Sequence, residues 1–285
     1  AKLYMNAEIY TGTPQWDKAE QHIDALINSG NFSLMGNYFD NFKTENSGST
    51  EFIYAIPYDQ VFAQGFNLVM RTLHYGSQET YNLTAQPWNG YCSLEEFYNS
   101  FEEDDIRRNS FIVGPQFKSN GDPVIDSGFD DPDGPQVNFK PFINELAPQA
   151  WRDAGARIGK FEFALGATPD LSNDFPVFRY SDVLLMKAEV LLRKGDEAGA
   201  LVYVNMLRDR AGVAPFTTLT MDDLLAERGR EMCFEAYRRQ DLIRFGKYND
   251  PWWEKPASDP TKNIYPIPRG QIDANKNLVQ NPGYN

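Results

Sequence analysis

Phe178-Arg179-Tyr180-Ser181-Asp182-Val183-Leu184-Leu185-Met186-Lys187-Ala188-Glu189 is the stretch that decides the fold of this chain. Apolar residues recur along it at helical spacing, so Tyr180 to Lys194 reads as one amphipathic helix that stops at Gly195. Asp196 stands where an N-cap is needed, and the helix it opens runs to Arg210 and ends at Gly212. The pair makes a helical hairpin over 180–212. Its pattern recurs at the other end of the chain, where Met5-Asn6-Ala7-Glu8-Ile9 matches Met186-Lys187-Ala188-Glu189-Val190. Each copy leads into a glycine turn, then Asp17-Lys18-Ala19 or Asp196-Glu197-Ala198, then an apolar helix closing on Gly30 or Gly212. Two-helix hairpins with small residues at the crossing are the units of tetratricopeptide-like repeats. The alternative is two unrelated hairpins that share a common pattern.

Working outward, the sequence predicts a mainly α protein in four regions. Residues 1–30 form a helical hairpin, with one helix ending at Thr11-Gly12-Thr13-Pro14 and another running from about Gln15 to Asn28. Residues 31–175 are an irregular, loop-rich insertion, a candidate for ligand binding. Within it Glu51 to Ile56 reads as a strand, and Leu94 to Ile106 as the one convincing helix. Residues 176–247 return to helical repeats and end in the longest helix, Met221 to Phe245. Residues 248–285 are a Pro-rich extended tail, with Trp252 and Trp253 placed to pack it onto the helices. A structureless loop as long as 61–175 is uncommon in a compact domain unless it is functional.

Composition narrows the function. The 285 residues carry a net charge of −13 and a sequence pI near 4.7, which argues against a nucleic-acid partner. No apolar run is long enough for a membrane helix. Cys92 and Cys233 are too few for a disulfide framework, and only His22 and His74 could serve a histidine-built zinc site, so neither metal nor cofactor is expected. Leu3, Ala7 and Tyr10 share a helical face with no cap before them, so the chain reads as one that begins inside a helix, a fragment with an apolar face uncovered at that end. Aromatics reach 14%, a surplus that sugar-binding surfaces use, although cores use it more often.

Four stretches carry a family resemblance: Tyr10-Thr11-Gly12-Thr13-Pro14-Gln15-Trp16-Asp17-Lys18-Ala19; the opening stretch 178–189; Glu227-Arg228, Glu231, Glu235 and Arg238 with Asp241-Leu242 and Arg244; and Tyr265-Pro266-Ile267-Pro268 with 277–284. In order and spacing they resemble the C-terminal portion of the SusD/RagB family of nutrient-binding outer-membrane lipoproteins. Ala236 departs from the glycine usual in the family, and Arg239-Gln240 from a frequent Trp-led pair. The resemblance implies a tetratricopeptide-like scaffold with an irregular second region, at the outer-membrane surface and anchored by an N-terminal lipid that this sequence lacks. It also implies a SusC-like TonB-dependent transporter as partner, and oligosaccharides or sometimes peptides as ligands.

Two acidic groupings invite other readings. Glu227, Glu231 and Glu235 fall on one helical face, an arrangement open to a glycosidase pair, but interleaved Arg228, Arg230, Arg238 and Arg239 favour a salt-bridge network. Asp122, Asp126, Asp130, Asp131 and Asp133 form an acidic loop without EF-hand spacing, read as solvated. The ligand-binding candidates are Trp88, Tyr91, Tyr75, Tyr81, Asn89, Asn82 and Arg71, because flat aromatics beside amide and guanidinium donors suit the C–H faces and hydroxyls of sugars. Trp88, between Pro87 and Asn89-Gly90, is placed at a turn tip. Arg157, Lys160 and Phe161 are expected to anchor the insertion. The expected activity is glycan binding without catalysis. A glycoside hydrolase and a pure protein-interaction scaffold are the alternatives.

Overall fold

The computed structural model of the chain describes residues 1–284. It opens with α1 (Lys2–Met5) and α2 (Ala7–Thr11), interrupted at Asn6, then α3 (Trp16–Asn28). Strand β1 (Phe52–Ile56) follows, and then the short helices α4 (Leu68–Thr72), α5 (Ser77–Tyr81) and α6 (Glu95–Asn99). Four two-residue strands come next: β2 (Phe111–Ile112), β3 (Gly114–Pro115), β4 (Asn138–Phe139) and β5 (Arg157–Ile158). Strand β6 (Phe175–Arg179) runs directly into α7 (Tyr180–Arg193), followed by α8 (Glu197–Ala211), α9 (Met221–Glu231), α10 (Arg238–Arg244) and, in the tail, α11 (Arg269–Ala274).

The organising element is α7. It packs against α3, α8 and α9, and every residue from Tyr180 to Val190 is buried. Met5, Ala19, Ile23, Leu184, Ala188, Val204, Leu207 and Leu224 share its core. Enclosure on all sides corrects the expectation of an amphipathic helix with a wet face. The polar residues of α7 are buried as well, and they are paired. Asp182 meets Lys2 at 3.1 Å and Arg228 at 2.9 Å; Lys187 meets Glu20 and Asp24; Glu189 meets Arg244 at 2.8 Å. Burial alone would raise the pKa of Asp182, but Lys2 and Arg228 hold it down at about 2. Asp196 caps α8 as its position predicts, its Oδ1 accepting from the Gly199 N–H at 2.9 Å.

β1 pairs antiparallel with β6, Phe52 opposite Arg179 and Ile56 opposite Phe175, so the irregular region is stitched at its ends beside the start of α7. That pairing sets Glu51 next to Arg179 in a buried ionic cluster. Arg179 donates from Nε to Glu235 at 2.7 Å and from Nη1 to Glu231 at 2.8 Å and Glu51 at 3.1 Å. Arg107 joins Asp105, Glu227 and Glu231, and Lys160 joins Glu235 at 2.6 Å. Burial opposes the charge on Glu231, yet Arg210, Arg179 and Arg107 hold its carboxyl well below the usual range.

The glutamates are therefore a salt-bridge network, as their sequence context suggests, but several of their partners come from far along the chain. Of the interleaved arginines only Arg230 pairs with one of them, Glu227; Arg228 takes Asp182 and Asp241.

Two predicted helices are corrected. The helix expected over 221–245 breaks after Glu231, where Phe234 and Ala236 take positive φ of 60° and 65°. The turn frees the Glu231 carbonyl to accept from Tyr38 Oη, Arg179 and Lys160, and the Cys233 carbonyl to accept from Lys160 at 2.8 Å. Ala236 thus sits in the backbone region that glycine favours. The helix expected over 94–106 shrinks to the single turn of α6, and a 3-10 turn over Ile106–Ser110 carries Arg107 into the ionic cluster. The tail is less extended than its prolines suggest, since it holds a 3-10 turn at Pro260–Asn263 as well as α11.

Candidate functional site

α4 is one turn long, and its Val69, Met70 and Thr72 face inward with Leu73 onto a satellite core of Leu83, Phe163 and Leu171. Arg71 is left on the outer side. The carbonyls of this turn hold the segment 88–91 against it. Trp88 N–H donates to Met70 O at 2.6 Å, Asn89 N–H to Leu73 O at 3.0 Å, and the Gly90 and Tyr91 N–H groups to Arg71 O at 2.7 and 2.6 Å. Asn89 takes a φ of 56°, a conformation asparagine tolerates, and its Nδ2 donates to Arg152 O at 2.8 Å.

The result is a shelf with two rings and a cation. Trp88 is 50% exposed and Tyr91 49%. The Arg71 guanidinium carbon lies 5.6 Å from each ring centroid. Its Nε donates to Asn67 Oδ1 at 2.7 Å and its Nη1 to Tyr91 Oη at 3.1 Å, which fixes the guanidinium plane between the rings. Such a surface offers flat apolar area and directed donors side by side.

The shelf rests on a polar brace. Arg152, whose carbonyl holds Asn89, pairs through its side chain with Asp126 at 3.1 Å, and Asp126 meets His74 Nε2 at 3.2 Å. Burial lowers the His74 pKa against the pull of Asp126, so the ring is neutral at pH 7, accepting at Nδ1 from the Gly76 N–H at 3.0 Å. Tyr75, 38% exposed, sets its ring edge-on to His74 at 5.3 Å.

Of the seven candidates, the structure brings Arg71, Trp88, Asn89 and Tyr91 together, with Tyr75 on the adjoining turn. Tyr81 and Asn82 do other work. Tyr81 packs edge-to-face on Phe163 at 5.6 Å, and burial pushes its phenol pKa up. Asn82 ends α5 at φ 51° and accepts from Ser119 Oγ at 2.9 Å. No hydrogen bond or ring contact among the described residues joins either to the shelf. Sequence reasoning missed Asn67, His74 and Arg152. The four-residue spacing of Asn67 and Arg71 was the available signal for the first; nothing local marks the other two.

The remaining features are structural. Lys140 takes up Asp131 and Asp133, and no group of three or more metal-binding side chains occurs among the described residues. Lys160 and Phe161 are buried anchors, Arg157 is buried on the Phe139 ring, and Cys92 and Cys233 are free thiols. Trp252 lines a cavity of about 530 Å³ together with Phe97, Phe234 and Leu242, and Trp253 lines a smaller one with Phe142 and Ile143.

Residues 166–284 match the model of the SusD family. The whole chain aligns at 27% identity with 59% of the starch-binding protein SusD of Bacteroides thetaiotaomicron, and at 24% with 58% of the SusD-like protein P25 of Formosa agariphila. The chain thus spans under two thirds of these relatives. In fold, 98% of it superposes on 61% of surface glycan-binding protein A from Bacteroides thetaiotaomicron, with a TM-score of 0.74 at 24% identity; the same protein in complex with laminarihexaose gives 0.72. The match to the SusD family thus covers the α7–α10 helices and the tail, and the similarity to SusD runs along the whole of this chain.

Proposed function

We propose that this chain is the ligand-holding part of a cell-surface glycan-binding protein that delivers oligosaccharide to a SusC-like TonB-dependent transporter of the outer membrane. The observation that carries the reading is the shelf: two half-exposed rings flanking a guanidinium whose plane is fixed by Asn67 and Tyr91. Sugar rings stack their C–H faces on such aromatics and give their hydroxyls to such donors. The similarity to a starch-binding protein and to a glycan-binding protein in complex with laminarihexaose supports it. The helices around α7 then serve as a tetratricopeptide-like scaffold, 31–175 as the ligand-binding insertion and 248–285 as a strap along it.

The same reading makes the protein a binder without chemistry. Glycoside hydrolysis needs two carboxyl groups facing a sugar, and Glu227, Glu231 and Glu235 are buried and committed to arginine or lysine. Affinity electrophoresis of the protein in gels containing starch, laminarin and other polysaccharides, with a reducing-end assay on the same mixtures, tests both halves. Retardation without new reducing ends is expected. Release of reducing ends would restore the hydrolase.

A further inference from the structure

We infer that the glycan held by this shelf is an acidic one, bearing a carboxylate of the uronic-acid kind, and that Arg71 reads that group; the inference rests on the glycan-binding reading above. The chain carries a net charge of −13, so a cation at its surface has acids to choose from. Arg71 takes none. Its hydrogen bonds are the neutral ones to Asn67 and Tyr91, and its Nη2 is left without a protein partner yet is not sealed from solvent. Nη2 and the second N–H of Nη1 are thus free, and a carboxylate takes a stronger, charge-assisted hydrogen bond from such donors than a neutral hydroxyl does. The plane is already fixed between Trp88 and Tyr91, so a sugar stacked on either ring brings a ring substituent to those donors at little further cost in order.

A second arginine lies on the segment that adjoins the turn of α4. Arg157 is 3% exposed and forms no ion pair with any described residue; its Nη2 donates to Arg152 O at 2.6 Å, and its Nε has no partner. The adjacent segments are joined directly, Ile158 N–H donating to Thr72 Oγ1 at 2.7 Å, one residue along from each arginine. Burial disfavours the charge on Arg157, but a guanidinium keeps its proton at neutral pH. The Cys92 thiol beside it is pushed up by burial and stays neutral, while the Asp153 carboxylate acts on the guanidinium through space and offsets part of its charge. Arg71, unpaired with any acid among the described residues, is thus the cation at the aromatic surface, and its field favours an anionic ligand over its neutral counterpart.

The experiment uses the chain as it stands against polygalacturonate, alginate and glucuronoxylan, each paired with its carboxyl-reduced form, by affinity electrophoresis and calorimetry. At least one acidic glycan is expected to bind about tenfold or more tightly than its reduced partner. That ratio should shrink between about 50 and 500 mM salt. In Arg71→Met the ratio should collapse toward one, and Arg71→Lys, which keeps the charge and loses the fork, should fall between; the melting temperatures identify any variant that fails to fold. A neutral glycan bound as tightly as its acidic counterpart, or a preference that survives Arg71→Met in a folded protein, overturns the inference while leaving glycan binding intact. No binding to any glycan, acidic or neutral, overturns the glycan-binding reading and this inference with it.

Discussion

Arg179 is wholly enclosed and meets Glu51, Glu231 and Glu235 within 3.1 Å, whereas Arg71 lies partly open beside two rings and meets no carboxylate among the described residues. The two share one chemistry and serve opposite ends. A buried guanidinium loses its hydration, and only close, well-aimed carboxylates offset that loss. Once they do, the group is spent on structure, joining β6, α9, the turn after α9 and the end of β1. Arg71 stays partly hydrated and keeps donors in reserve, which is what recognition of a ligand requires. Arginine content therefore says little about function here. Pairing does.

The comparison is broken most directly at Arg179. Arg179→Met leaves three buried acids facing fewer cations, and removing one member of such a cluster costs about 3–5 kcal/mol. Urea denaturation should show that loss or outright failure to fold. Arg71→Met in the same assay should shift stability by under about 1 kcal/mol. Equal losses at the two sites would mean that Arg71 is scaffold too, and the shelf would lose its functional reading.

The scaffold was far more legible in the sequence than the site. Helices α3, α7 and α8 fall where apolar spacing, Asp196 and the closing glycines put them, because those signals act within a few residues. The break after Glu231 was not legible, since what stabilises it is distant: Tyr38, Lys160 and Arg179 converge on carbonyls that a continuous helix would have kept. Ala236 was the one local clue, standing where the family has glycine. In the insertion, Pro87 and Asn89-Gly90 suggested a turn tip at Trp88, but residues 86–92 form neither turn nor bend and are held instead by carbonyls of Met70, Arg71 and Leu73. Tyr81 and Asn82 lie only a few residues earlier, yet α5 points one into the satellite core and the other toward Ser119. Nearness in sequence gives composition, and the backbone path decides direction.

A smaller effect on stability, and one that sharpens the same contrast, comes from acid. Asp182 has a folded pKa of about 2 against an ordinary 3.8, so the folded state binds its proton less readily than the unfolded state. Its contribution is complete above about pH 5 and is lost as the pH falls through 3.8 toward 2, roughly 2 kcal/mol in all. Glu227 and Glu231, also held low, add losses of the same sign. Denaturation followed from pH 7 to pH 2 should show stability falling in that window, and Asp182→Asn should flatten the Asp182 part of the curve. A flat profile in the unmodified chain would mean that these pairs are not formed as described.

The smallest expected change in stability is at Trp88, and there the change in binding is large. The Trp88 ring is half exposed, and its segment is held by backbone hydrogen bonds from Trp88, Asn89, Gly90 and Tyr91 that a side-chain truncation leaves in place. Trp88→Ala should therefore move the unfolding free energy by no more than about 1 kcal/mol, well short of the roughly 3–5 kcal/mol that loss of a core tryptophan costs. If a sugar ring stacks on it, the same change removes a central flat contact and should weaken glycan binding by more than about 2 kcal/mol, near thirtyfold. Calorimetry of binding and thermal melting on the same preparations separates the outcomes. Weak binding with unchanged melting places Trp88 in the site. A large drop in melting temperature places it in the scaffold beside Arg179. Unchanged binding and melting would move the search to Tyr91 and Tyr75, the other exposed rings of the shelf and its adjoining turn.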